Sequence, residues 1–143
     1  MVGMDLDFLT ATNQQFLLDI VLAFFCGILI GGERELKKKP AGVSTQTLVI
    51  SAAMLFSFIS QNASGADNTR IAAQIVSGVG FLGAGLILKS EQSRKVTNVT
   101  TAASIWFAAA VGMAIGFGFH FIAIVSAIYA VVISRIPRIR SEE

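Results

Sequence analysis

The apolar tract at residues 99–134 constrains this chain more than any other feature. A membrane-spanning helix takes about 20 apolar residues, within a range of about 17–25. The tract is too long for one span and about right for two. Near its middle lies G-F-G-F-H at 116–120, where glycines release a helix into a tight turn. Three further apolar runs precede it, at residues 16–32, 43–60 and 71–88, each closed by a polar or charged segment. The pattern predicts an all-α polytopic membrane helical bundle of five transmembrane helices, the last two at about 100–116 and 119–135. Four spans, one of them long and bent, is the alternative. Residues 1–143 read as a single transmembrane domain.

Composition agrees. The chain is 54% hydrophobic and 14% charged, with a mean hydropathy of +0.71. Soluble domains are about 45–50% apolar and about 25% charged, so there is too little charge here to coat a water-facing surface. Cys26 is the lone cysteine, which excludes a disulfide framework and a cysteine-based zinc site. The start, M-V-G-M-D-L-D, holds acids and no basic residue, unlike a cleaved signal peptide. The first apolar run is therefore expected to stay as a span.

Charge placement orients the spans. Arg34 and Lys37–Lys39, then Lys89, Arg94 and Lys95, then Arg135, Arg138 and Arg140 fall on alternate connections, and Arg70 stands by itself on the others. Basic residues concentrate on the cytoplasmic side of membrane proteins. The N-terminus is thus expected outside and the C-terminus in the cytoplasm, which requires an odd number of spans.

Residues 77–85 read S-G-V-G-F-L-G-A-G. Gly78, Gly80 and Gly83 spell G-x-G-x-x-G, yet a dinucleotide fingerprint follows a strand and is answered by an acid about 20 residues on. Ala103 stands there instead, among alanine and serine. In a membrane helix glycines permit close backbone approach. Gly78, Gly80, Gly83 and Gly85 surround much of their helix, which predicts that this third span sits in the centre of the bundle. Asp19, Ala23, Gly27 and Gly31 share one face of the first span, and Ser104, Ala108, Gly112 and Gly116 share one of the fourth. Each face is read either as packing within the protomer or as a homodimer seam.

Few polar groups lie within the spans. Asp19 shares the small-residue face and is expected to point inward, as a functional group or as a carboxylate reaching the headgroups. Asp67, Arg70 and Gln74 recur at helical spacing at the start of the third span and read as a helix cap or as a polar entrance. G-G-E-R-E places Glu33, Arg34 and Glu35 at the membrane edge, where they are expected to pair locally, since buried charge needs partners of both signs. Lys37–Lys39 read as a topology signal meeting anionic lipid. His120 is the single histidine, with no second ligand in view, and no metal ligand set is assigned. There is no nucleophile–base pair, H-E-x-x-H or Walker motif, so neither an enzyme, a cofactor nor a nucleic-acid partner is expected.

Three segments carry a resemblance. G-G-E-R-E-L-K-K-K-P-A-G-V-S-T-Q-T-L-V at 31–49, R-I-A-A-Q-I-V-S-G-V-G-F-L-G-A-G-L-I at 70–87 and V-T-T-A-A-S-I-W-F-A-A-A-V-G-M-A-I-G at 99–116 resemble, in order and spacing, the signatures of the MgtC/SapB membrane family. The resemblance implies a five-span protein of the bacterial inner membrane. It also implies roles in growth at low magnesium, acid stress and survival in host phagocytes, and contact with the F-type ATP synthase. Asp67 and Arg70 match the family's aspartate and arginine; Gly31, Glu33, Arg34 and Glu35 match its G-x-E-R-E element. Asn68 stands where the family often has proline, and Ser44 and Gln46 where it often has arginine and histidine. Many relatives carry a cytoplasmic C-terminal domain, which is not expected here.

Three functions follow as expectations. The first is a regulatory protein acting on other membrane proteins. The second is a small magnesium or proton channel or transporter using Asp67, Gln74 and Asp19. The third is a scaffold. The scarcity of acidic ligands within spans favours the first, because a divalent cation takes several oxygens.

Overall fold

The computed structural model describes residues 10–63, 68–88 and 97–136. They form five helices and no strand: α1 (Ala11–Leu36), α2 (Val43–Asn62), α3 (Asn68–Leu88), α4 (Val99–Gly116) and α5 (His120–Ser134). The first four are long and apolar enough to cross a membrane, and α5 is a shorter apolar helix. This is the five-helix arrangement expected from the apolar runs.

Local chemistry sets the boundaries. Thr10 caps α1, its hydroxyl accepting from the Asn13 N–H at 3.3 Å. α1 continues past Gly32, so Glu33, Arg34 and Glu35 are helical rather than loop residues. The α1–α2 connection is tight, with left-handed backbone at Lys38 and Ala41. Glu35 Oε1 reaches across it and accepts from the Val43 N–H at 2.9 Å, satisfying one of the unpaired donors at the start of α2. α4 and α5 are joined by Phe117–Phe119, where Gly118 has φ +81°, a conformation that costs glycine little.

Side-chain contacts fix the helix directions. Gly27 and Gly31 of α1 approach Thr47 and Val43 of α2, so these helices run antiparallel. Gly112 and Gly116 of α4 approach Ile50 and Met54 of α2, so these run parallel. Gly83 of α3 meets Ala102 near the start of α4, and α5 folds back beside α4. α5 has 15 residues, about 22 Å at 1.5 Å per residue. It nevertheless runs alongside α1 from Asp19, bonded to His120, to Lys37, bonded to Ser134. The helices therefore alternate in direction, and the described basic residues Arg34, Lys37–Lys39 and Arg135 gather at the end opposite Arg70.

α4, not α3, is the central helix: it packs against all four others, whereas α3 touches only α2 and α4. The glycine-rich third span was expected at the centre, and this corrects that reading. Cβ atoms built at Gly78, Gly80 and Gly85 would meet nothing, and only Gly83 of that set has a neighbour. The core is built from α1, α2, α4 and α5 around Ala23, Ile50, Met54, Ala108, Val111 and Ile115. Large apolar side chains such as Leu18, Phe25 and Phe121 are exposed, as expected where the surrounding medium is hydrocarbon.

Candidate functional site

Polar side chains collect at the two ends of the bundle. At one end α1 presents Gln15 and Asp19, four residues apart on one face. Asp19 is 1% exposed. Its Oδ1 accepts from Gln15 Nε2 at 3.1 Å and from His120 Nε2 at 2.7 Å. The Gln15 and His120 nitrogens lie 3.2 Å apart. Asp19 thus points inward, as expected of its face, but its partner is the histidine that stood without one in the sequence. His120 is half-exposed where Asp19 is buried, so the cluster reaches the surface through the imidazole.

At the other end lies a wider network. Arg34 is 1% exposed; its Nε donates to the Pro40 carbonyl at 2.9 Å and Nη2 donates to the Thr101 hydroxyl. Ser104 Oγ donates to the Thr101 carbonyl at 2.8 Å and accepts from Gln46 Nε2 at 3.1 Å. Gln46, fully buried, also donates to the Ala41 carbonyl at 3.3 Å. Glu33 Oε1 lies 2.6 Å from Lys37 Nζ, and Lys37 donates to the Ser134 carbonyl at 2.6 Å. The G-x-E-R-E element therefore does three things: Glu33 pairs with Lys37, Glu35 caps α2, and Arg34 ties α1 to α4 and to the connection.

Local pairing within E-R-E, expected from the sequence, is corrected here. Neither acid beside Arg34 forms an ion pair with it; its bonds run to a carbonyl and a hydroxyl on other segments. Removing a buried charge from water costs several kcal/mol, so these neutral acceptors offset only part of that cost. The other predicted site residues do not join either cluster. Arg70 and Gln74 are exposed on α3, which does not touch α1. Gln74 lines an apolar groove of about 520 Å³ between α2 and α3. Asp67 lies outside the described residues.

The glycines divide in the same way. A Cβ at Gly27 would overlap Thr47, at Gly31 the Val43 backbone, at Gly112 the Ile50 carbonyl and at Gly116 the Met54 carbonyl. Both small-residue faces are thus filled inside the protomer, and neither is free to form a homodimer seam. Between the polar ends the bundle interior is apolar: Ala23, Ile50, Met54, Ala108 and Ile115 are wholly buried. Among the described residues no group of three or more His, Cys, Asp or Glu side chains is arranged to hold a metal ion.

Sequence reasoning missed Gln15, His120 and Thr101. Gln15 carried a readable signal, four residues before Asp19 on the same helix. His120 and Thr101 lie far along the chain from Asp19 and Arg34 and have no local signature.

Comparison with known proteins places these segments. A profile of the MgtC family matches residues 20–140. A Haemophilus influenzae protein of uncharacterized function is 40% identical over 128 residues, covering 82% of this chain and 53% of its own. Protein MgtC of Salmonella typhimurium is 41% identical over 103 residues, covering 72% of this chain and 44% of its own. Protein MgtC of Brucella abortus is 43% identical over 117 residues, covering 81% and 48%. The chain spans about half the length of the curated relatives it matches. No solved structure matches it. This multi-pass helical membrane protein belongs to the MgtC family.

Proposed function

We propose that the protein is a non-enzymatic regulator of the bacterial inner membrane that acts by contacting other membrane proteins. In this reading it supports adaptation to low magnesium, acid or host stress, with the F-type ATP synthase as one such contact. Magnesium and stress enter from the family resemblance. The basic end of the bundle faces the cytoplasm, which sets the N-terminus outside.

The observation that carries the reading is the open surface of α3. Gly78, lining the α2–α3 groove, Gly85, on the same flank, and Gly80, on the opposite flank, leave open space where side chains would stand, and small residues are what let membrane helices approach closely. A second copy of the chain is one partner that the Gly80 flank would accept. The apolar interior between the two polar ends supports interaction over transport, since an ion crossing the bundle would lose its hydration there without replacement ligands.

Crosslinking in native membranes, with wild type and Gly80→Leu, tests the reading alongside magnesium and proton flux in proteoliposomes. The expected outcome is partner crosslinks that Gly80→Leu removes from a folded protein, with no flux above empty vesicles. Magnesium flux abolished by Asp19→Asn and untouched by Gly80→Leu would establish the transporter reading instead.

A further inference from the structure

Arg34 is a buried cation that no carboxylate among the described residues ion-pairs. Its Nε and Nη2 are used on a carbonyl and a hydroxyl, while Nη1 is buried with no partner among the described residues. Glu33 pairs with Lys37, Glu35 is turned to the Val43 N–H, and Asp19 is at the far end on His120. The guanidinium does not shed its proton in proteins. Charged groups held in a membrane bundle are paired or face a water-filled cavity.

Arg34 lines a cleft of about 190 Å³ between α1, α4 and α5. Thr100, Ser104 and Ser134 stand in the same wall, and the rest is mostly apolar, chiefly Phe107, Tyr129 and Ile133. Thr100, Tyr129 and Ile133 are themselves exposed, so the cleft opens sideways, toward lipid rather than into the bundle. Lys37, paired with Glu33 and held on the carbonyl of Ser134, stands at the rim. A bare inorganic anion would satisfy Arg34 and leave the apolar walls unused. An anion joined to an acyl chain uses both.

We infer that this cleft binds an anionic amphiphile, its phosphate or carboxylate at the Arg34 guanidinium and its chain along Phe107 and Tyr129. The two sources of that chemistry are a phospholipid and a free fatty acid. Arginine suits the task because its fixed donor fork matches both oxyanions.

Native mass spectrometry of the detergent-purified full chain tests this, with phosphatidylglycerol, oleate and phosphatidylcholine supplied equally. At least one of the two anionic amphiphiles is expected to be retained over phosphatidylcholine by about tenfold or more; which one identifies the source. Arg34→Gln is expected to abolish the preference. Ala103→Trp fills the cleft from an exposed wall position without touching the Arg34 bonds, and is expected to lower retention to the same degree. Should Arg34→Gln fail to insert, Ala103→Trp decides. Equal retention of charged and neutral lipid would overturn the inference. So would a preference that survives Ala103→Trp in a folded protein.

Discussion

α3 and α4 carry the same kind of sequence and put it to opposite uses. Both are apolar helices with glycines at close spacing. In α4, Gly112 and Gly116 bring the backbone against the carbonyls of Ile50 and Met54 in α2. In α3, Gly78, Gly80 and Gly85 face open space. The difference lies in what flanks each helix. α4 is enclosed by α1, α2, α3 and α5, whereas α3 leans on α2 and α4 along one side. Glycine spacing reports that a helix can be approached closely; the neighbour that does so is set by the other helices.

The contrast can be broken by adding a single methyl group or more at each position. The largest effect is expected at Gly112→Val. The new Cβ would overlap a backbone carbonyl, which has no rotamer with which to move away, and overpacking of this kind costs about 3 kcal/mol or more. Unfolding in detergent micelles, followed by helical circular dichroism, measures it; a wild-type transition would show that α2 and α4 are not in contact there. Gly31→Ala is expected to cost about 2 kcal/mol by the same mechanism, because its Cβ would meet the Val43 backbone.

Glu35→Ala sharpens the α1 side of the comparison. It removes the acceptor for the Val43 N–H and loosens the turn that presses α2 onto Gly31. A lost helix cap costs about 1 kcal/mol, and Glu35→Gln, which keeps an acceptor oxygen, should recover most of it. The smallest effect belongs to α3. Gly80→Ala is expected to change stability by less than about 0.5 kcal/mol, or to raise it by up to about 1 kcal/mol through helix propensity. A large loss in the isolated protein would mean that the outer side of α3 is packed after all.

The two polar ends show the same division between what is local and what is assembled. Asp19 was readable as an inward carboxylate because Ala23, Gly27 and Gly31 follow it at intervals of four, and periodicity within one helix is a property of the chain itself. The role of Arg34 was not readable. Its neighbours Glu33 and Glu35 suggest a local salt bridge, but successive helix residues point in different directions, and each acid finds another task.

By itself, the sequence determined the number of helices, their approximate limits, their membrane-spanning character and the small-residue faces of α1 and α4. Each follows from composition or spacing within a segment of about 20 residues, the length over which hydrocarbon thickness and helical period act. Tertiary structure decided which glycine helix is enclosed, that His120 meets Asp19, and that Arg34 bonds to Thr101 and lines a cleft with Tyr129. Those partners are 101, 67 and 95 residues apart in the chain. Lipid supplies no hydrophobic drive to rank one helix pairing above another. The choice among pairings therefore rests on the fit of whole faces and on buried hydrogen bonds, and these exist only once all the helices are in place.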